Sequence, residues 1–446
     1  MANTSIRVKE AVLVTPSEPT PTHVLTLSAL DSQLFLRFTI EYLFVYRSRS
    51  VPNRSATTAR LKAALSQALV SYYPLAGRIR AARPDASNLE VVCRAQGAVF
   101  IEAVSDIPAA ELESAPRYST QWRNLLSFHV ADVLQGTPPL AVQLTWLPDG
   151  AAAVGVGISH CLCDGIGSAD FLNTVADLAT DRCGLAELKP KPIWHRHLLD
   201  PVIRQPHHRS PAACHPEFDQ IQDSYGFVQR FSREPLTPTC VTFDRRALTQ
   251  LKKLAPSTSQ PNELNRSYTS FEVLSAHVWR CWAKALQLPG TQTLRLLFSV
   301  NIRNKVKPNL PEGYYGNGFV LGCAQTGAKE LIENGLGWAA GLVRKAKERV
   351  GDEYVRRVVE SVSGSRACPD SVGVLIISQW SRLGLERVDL GMGMGKPVHV
   401  GPICCDRYCL LLPVFEQRNA VKVMVAVPKN AVDKYEHLLT TSLTSS

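Results

Sequence analysis

The 446 residues carry a formal net charge of +10, with 45% hydrophobic and 20% charged side chains. That length exceeds the roughly 250–300 residues at which one core stops growing, so two domains are expected. No run of about 18 uncharged apolar residues occurs, which excludes a membrane-spanning helix, and no zinc-finger, RRM or basic-heptad signature supports nucleic-acid binding. The twelve cysteines are scattered, and the N-terminus lacks an apolar signal segment; both point to a cytoplasmic protein with reduced thiols. The positive charge is spread along the chain and suits a small polyanionic substrate such as a phosphorylated cofactor. One basic cluster, Arg344, Lys345, Lys347 and Arg349, reads as a solvated helix face.

In chain order, Thr57–Leu69 places Leu61, Ala64, Leu65, Ala68 and Leu69 on one helical face and ends before Pro74. Leu140–Leu147 and Ala151–Ser159 are two apolar runs joined by Pro148-Asp149-Gly150, a turn sequence. The second run leads into His160-Cys161-Leu162-Cys163-Asp164-Gly165. Gly165 and Gly167 permit a tight turn, and Ser168 is a candidate cap for a helix bearing Phe171, Leu172, Val175, Ala176 and Ala179. Between Lys189 and Cys240 stand eight prolines and five of the eleven histidines, a crossover between domains. Its histidines, among them His207-His208, have no partners at metal-ligand spacing. Thr269-Ser270-Phe271-Glu272 opens a helix with a capping box. Leu294–Arg303 alternates as a strand, Val372–Gln379 is apolar, and Tyr408–Glu416 with Ala420–Val427 reads as a hairpin around Gln417-Arg418-Asn419. The class is α/β with mixed sheets.

Residues 157–165, G-I-S-H-C-L-C-D-G, carry the chemistry. A zinc site needs four ligands, whereas His160, Cys161 and Cys163 offer at most three, so no metal is expected. A cysteine nucleophile needs a base and an orienting group from elsewhere, and buried cysteine is common packing material. Gly157-Ile158-Ser159-His160-Cys161 lacks the last glycine of a serine nucleophile elbow. His160 itself remains, at the end of a strand whose small residues Ala151–Ala153, Gly155 and Gly157 let a ligand or another backbone approach. On spacing alone, a base and a structural histidine stay equally open.

His160–Gly165 resembles the H-x-x-x-D-G motif of the plant BAHD acyltransferases, which use acyl-coenzyme A donors. Leu27-Ser28-Ala29-Leu30-Asp31, Tyr73–Arg78, Asn301-Ile302-Arg303 and Leu310–Asn317 resemble further family segments in the family's order. The D-F-G-W-G segment appears as Asp389-Leu390-Gly391-Met392-Gly393, with Met394-Gly395 inserted. The resemblance implies two similar-sized α/β domains, related to chloramphenicol acetyltransferase, with a channel between them. The domains are expected at residues 1–188 and 241–446, with 189–240 as crossover.

By the same resemblance, His160 is the general base at mid-channel. It moves an acyl group, hydroxycinnamoyl or related, from acyl-coenzyme A to an alcohol without an acyl-enzyme. Asp389 is carried as a second catalytic candidate, although aspartate's habit of bonding turn backbones favours a role in fixing its glycine-rich loop through backbone hydrogen bonds. Asp164, Gly165 and Arg303 are expected to be structural at the site, Asp164 pairing with Arg303. Leu390, Gly391, Met392 and Gly393 are expected on the donor side, where methionine and extra glycine soften the acyl pocket. No cofactor beyond the acyl-coenzyme A co-substrate is expected, and the protein is expected to be a monomer. Two alternatives are transfer to an amine and a non-catalytic accessory role in lipid elongation.

Overall fold

The computed structural model describes the chain except residues 1–5, 49–52, 84–87, 115, 131, 202–214, 257–266, 366, 392, 407, 416, 418, 445 and 446. His207-His208 of the crossover, Met392 of the loop and Arg418 of the hairpin turn therefore lie outside the described residues. Two six-stranded sheets of mixed direction organise the molecule. In spatial order the first contains Ile6–Val14, Ala98–Ser105, Leu140–Trp146, Ala152–Ser159, Thr39–Tyr46 and His399–Pro402. The second contains Phe319–Gly327, Thr293–Asn301, Val374–Gln379, Cys409–Pro413, Val421–Pro428 and Leu236–Phe243. Among the described residues no helix is long and apolar enough to cross a membrane.

The predicted elements form for the reasons their residues give. Asn53 caps the helix Arg54–Ser71, its side chain accepting from the Ala56 N–H, and the five expected apolar residues are all buried. That helix packs against Gly165–Ala179, and both cover one face of the first sheet. Leu140–Trp146 and Ala152–Ser159 pair antiparallel across their turn, with Trp146 opposite Ala152. Within the second strand Gly155 is required by close approach. A Cβ there would lie 2.1 Å from the Leu125 carbonyl oxygen, so another backbone, not a ligand, uses that space.

Two expectations are corrected here. The cap of Gly165–Ala179 is Asp164 and not Ser168; its Oδ1 accepts from the Gly167 N–H at 2.9 Å. The basic cluster is not a purely solvated face. Glu272, buried at the start of Ser270–Leu286, takes both Arg344 and Lys347, while Arg349 donates to the Cys323 carbonyl. A buried carboxylate needs such cations, and Thr269 supplies its N–H as well.

The sheets do not follow a simple division of the sequence. The crossover ends in Leu236–Phe243, which is already the outer strand of the second sheet. In return, His399–Pro402 leaves the second half and pairs antiparallel with Thr39–Tyr46 of the first, His399 opposite Val45 and Pro402 opposite Tyr42. Trp380, Leu385, Val388, Leu390 and Met394 accompany it into the first half's core.

Candidate active site

His160 follows the last residue of Ala152–Ser159 and donates its N–H to the Phe38 carbonyl at 2.9 Å. Its ring lies between two aromatic walls, edge-on to Phe38 with centroids 5.2 Å apart and tilted against Phe319 at 5.7 Å. Tyr408 continues the wall, 5.9 Å from Phe38. Burial lowers the imidazole pKa below its ordinary 6.5, only partly opposed by its own backbone, Asp164, Asn317 and Asp31. The ring is therefore neutral near pH 7, the form that accepts a proton.

Beyond His160 the chain turns back on the Ser159 carbonyl, which accepts from Leu162 and Cys163, and Asp164 points away from the imidazole. Its carboxylate is filled by four donors: Arg303 Nη1 to Oδ2 at 2.9 Å, Arg303 Nη2 to Oδ1 at 3.0 Å, and the N–H groups of Gly167 and Gly318. Burial pushes this carboxyl up; Arg303 and the two N–H groups more than offset it, leaving its pKa below the ordinary value. Arg303 also donates to the Tyr314 and Gly316 carbonyls, so it ties the strand-to-helix turn to the 314–318 loop. Gly167 makes room for that loop: a Cβ there would stand 1.9 Å from the Tyr315 carbonyl oxygen. Neither Gly165 nor Gly167 has positive φ, so close packing, rather than turn geometry, calls for glycine at 167.

A second buried network was not foreseen as part of the site. Asp31 accepts from the Ser28 N–H and hydroxyl at 3.1 and 2.6 Å, and from the Asn317 N–H and Nδ2 at 2.9 and 2.8 Å. Asn317 Nδ2 also donates to the His160 carbonyl at 2.7 Å. Arg196, buried over Trp194, Tyr314 and Tyr315, approaches Asp31 to 3.5 Å and donates to the Leu162 carbonyl at 2.8 Å. Asp31 and Asn317 stand in quoted motifs that carried no role. Arg196 gave no signal, because its aromatic box assembles from distant segments.

Asp389 is not beside His160. Its carboxylate accepts from Arg182 and from the Gly391 N–H, and these partners hold its pKa below the ordinary value against the opposing effect of burial. A Cβ on Gly391 would touch Thr180, so this loop sits at the far end of Gly165–Ala179. Fifteen helical residues span roughly 20 Å. The geometry corrects the catalytic candidacy of Asp389 and gives it the loop-fixing role. Gly391, Gly393 and Gly395 all have positive φ in a turn closed by the Leu390 and Gly395 N–H groups, so glycine serves conformation there rather than mobility.

Leu390 and Met394 are buried in the first half's core, not on a donor channel, which corrects the expected softening of the acyl pocket. Leu390 borders a cavity of about 30 Å³ beneath Phe44, Leu65, Val156 and Phe171. Filling a void of that size is worth about 0.7 kcal/mol. Leu390→Phe is therefore expected to raise the denaturation midpoint by a corresponding amount. The kcat/KM ratio between aromatic and aliphatic acyl-coenzyme A donors should stay unchanged. A changed ratio would return the loop to the donor side.

A larger cavity, about 400 Å³, lies in the second half between Arg245–Leu254, the start of Ser270–Leu286 and the turn after Val374–Gln379. Arg245, Lys252 and Arg382 line it with Ser270, Gln379 and Ser381, and no carboxylate is among its lining residues. It can hold a polyanion. No group of His, Cys, Asp and Glu side chains suited to a metal occurs among the described residues. Cys161 and Cys163 are buried; burial pushes the Cys161 thiol up to about 12 and Cys163 higher still, so neither is a ready thiolate.

A family profile described as Transferase family matches residues 4–440. The chain is 34% identical to omega-hydroxypalmitate O-feruloyl transferase of Arabidopsis thaliana, over 97% of this chain and 92% of that one. The chain belongs to the BAHD acyltransferases. To the (Z)-3-hexen-1-ol acetyltransferase of the same plant this BAHD chain is 37% identical, over 87% of its own length and 83% of the relative's. Among solved structures, vinorine synthase matches with a TM-score of 0.73 at 20% identity, covering 98% of both chains. TRI101 of F. sporotrichioides, complexed with coenzyme A and T-2, matches with a TM-score of 0.73 at 14% identity, covering 93% of this chain and 97% of that one. These two establish the fold, and the sequence relatives establish that this BAHD protein is an acyl-coenzyme A-dependent acyltransferase.

Proposed function

We propose that the protein transfers a hydroxycinnamoyl or related acyl group from coenzyme A to the hydroxyl of an apolar alcohol, with His160 as general base. One observation carries this: a neutral imidazole, free of carboxylate contact, stands between Phe38 and Phe319. The imidazole takes the hydroxyl proton as the oxygen attacks the thioester carbonyl. The C–S bond then breaks, and the imidazolium returns the proton to the leaving sulfur. Acidic side chains cannot compete for that proton, since Asp164 and Asp31 are occupied by their own donors.

The walls support this acceptor class. Leu36, Leu297, Phe319, Leu321 and Cys323 form one apolar cluster, extended by Phe35, Phe38, Val374 and Ile376, on the face of the second sheet opposite its helices. A polyhydroxylated acceptor would find few partners there; a hydrocarbon chain would bury its surface favourably. The names of two relatives, omega-hydroxypalmitate O-feruloyl transferase and fatty alcohol:caffeoyl-CoA acyltransferase, support such a pairing. The cationic cavity suits the phosphates of the donor.

The test is a donor-by-acceptor matrix with purified protein and product mass: feruloyl-, caffeoyl- and acetyl-coenzyme A against primary aliphatic alcohols, phenylpropanoid alcohols, polyhydroxy acids and amines. Esters of aliphatic alcohols are expected. Turnover confined to amines, or none with any pair by folded protein, would overturn the assignment. The charge reversals Lys252→Glu and Arg382→Glu together should raise KM for acyl-coenzyme A at least about tenfold, most strongly at low salt, while KM for the alcohol stays put.

A further inference from the structure

Thr293–Asn301 and Phe319–Gly327 pair in register, so Asn301, Ser299, Leu297 and Arg295 lie opposite Phe319, Leu321, Cys323 and Gln325. Successive side chains alternate between faces, which puts these on one side of the second sheet. That side carries the apolar cluster of the acceptor wall. The strip starts at Phe319, whose ring is 5.7 Å from that of His160, and from there to Gln325 the strand advances roughly 20 Å. It is not sealed, since Ser299 and Asn301 are exposed and Val374 and Ile376 half-buried. At its far end the chemistry changes. Arg295 is 1% exposed, yet its guanidinium meets only neutral oxygens among the described residues. Nε donates to Gln325 Oε1 at 2.8 Å and Nη1 to the Asp219 carbonyl at 2.7 Å. Arg196, buried as deeply, has the Asp31 carboxylate at 3.5 Å. Arginine keeps its charge wherever it sits, and a buried charge ordinarily has a counter-charge.

We propose that Arg295 reads a carboxylate at the far end of the acceptor, which makes the acceptor an ω-hydroxy fatty acid. Its hydroxyl lies at His160, its hydrocarbon along the strip and its carboxylate on the guanidinium. This rests on the proposed acylation of an aliphatic alcohol and names the class of that alcohol. Nη2 has no partner among the described residues, and it is the nitrogen that the carboxylate takes. Gln325 has its Oε1 engaged by Arg295 Nε, so the other end of the amide is Nε2, with N–H groups to offer the same anion. An extended hydrocarbon advances about 1.25 Å per carbon–carbon bond. The strip therefore matches roughly fifteen such bonds, the length of ω-hydroxyhexadecanoate. The transfer itself is unchanged. The hydroxyl oxygen bonds the acyl carbon, the C–S bond breaks, and the hydroxyl proton passes through His160 to the coenzyme A sulfur. The carboxylate leaves unaltered on the ester product.

The test compares three acceptors of one chain length on the purified wild type, below their micellar concentrations: ω-hydroxyhexadecanoate, its methyl ester and hexadecanol. The acid is expected to show at least about tenfold higher kcat/KM than either neutral acceptor, since a site built for a polar group rejects the analogue lacking it. ω-Hydroxydecanoate should lose that advantage, being too short to reach both ends. A neutral acceptor used as well as the acid would overturn the proposal, and this needs no variant to fold. Gln325→Glu is the informative variant: the position is exposed, and the new carboxylate would occupy Arg295 from within. The acid-to-alkanol ratio of kcat/KM should then fall at least about tenfold, as it should in Arg295→Met. A purely structural Arg295 would lower turnover with both acceptors and leave their ratio in place, which also overturns the assignment. If no aliphatic alcohol is acylated at all, the proposed O-acylation fails as well. Acylated hexadecanol with no gain from the carboxylate defeats only the role of Arg295.

Discussion

His160→Ala is expected to lower kcat by about 10²–10⁴-fold while the protein keeps its fold and its affinity for acyl-coenzyme A. The imidazole contacts Phe38 and Phe319 rather than a charged partner, so truncation removes no ion pair and leaves the Asp164–Arg303 pair intact. Steady-state kinetics beside a thermal melt separates the two effects. In the wild type, burial lowers the His160 pKa. A base works when unprotonated, so activity should rise with pH through a value below 6.5 and persist into mildly acidic solution. An acid limb above 6.5, or near wild-type turnover in the alanine variant, would remove His160 from the role.

The second large effect is on stability. Asp164→Asn is expected to cost about 3–5 kcal/mol, the usual result of stranding one member of a buried pair. The amide presents N–H groups to Arg303 where the carboxylate presented oxygens, and four bonds depend on those oxygens. Arg303→Met in the same chain should recover part of that loss, since the stranded cation is gone. Chemical denaturation of both single variants and the double variant gives the coupling directly. Strictly additive losses would mean that the two residues do not stabilise one another.

Much of this arrangement was legible because it is local or concentrated in short motifs. The run into His160, the helix behind it and the capping box at Thr269 each depend on spacing within a few residues. The partner of Asp164 came from resemblance, and Arg303 is where that resemblance placed it. What escaped reading depends on distant contacts. Phe38 and Phe319 become walls only when two sheets face each other. Arg196 is buried only because Trp194, Tyr314 and Tyr315 close over it. His399–Pro402 is four residues, the last of them a proline, too short to show a period. Asp389 kept two readings for another reason: an aspartate in a glycine-rich loop looks the same whether it serves a reaction or a turn, and the loop-fixing reading agrees with its bond to the Gly391 N–H.

That four-residue strand also bears on how the chain is made. Thr39–Tyr46 is among the first strands synthesised, yet one of its two neighbours, His399–Pro402, is nearly the last. Until the segment through Pro402 has left the ribosome, the first sheet ends on the eight-residue strand Thr39–Tyr46 instead of the four-residue His399–Pro402, and the core positions filled by Val388, Leu390, Met394 and Val400 are vacant. Such an edge is a template for mispairing with other chains. The order of translation therefore runs against the order of assembly: the half built first is completed by the half built second, and the nascent protein has to remain unaggregated through that interval.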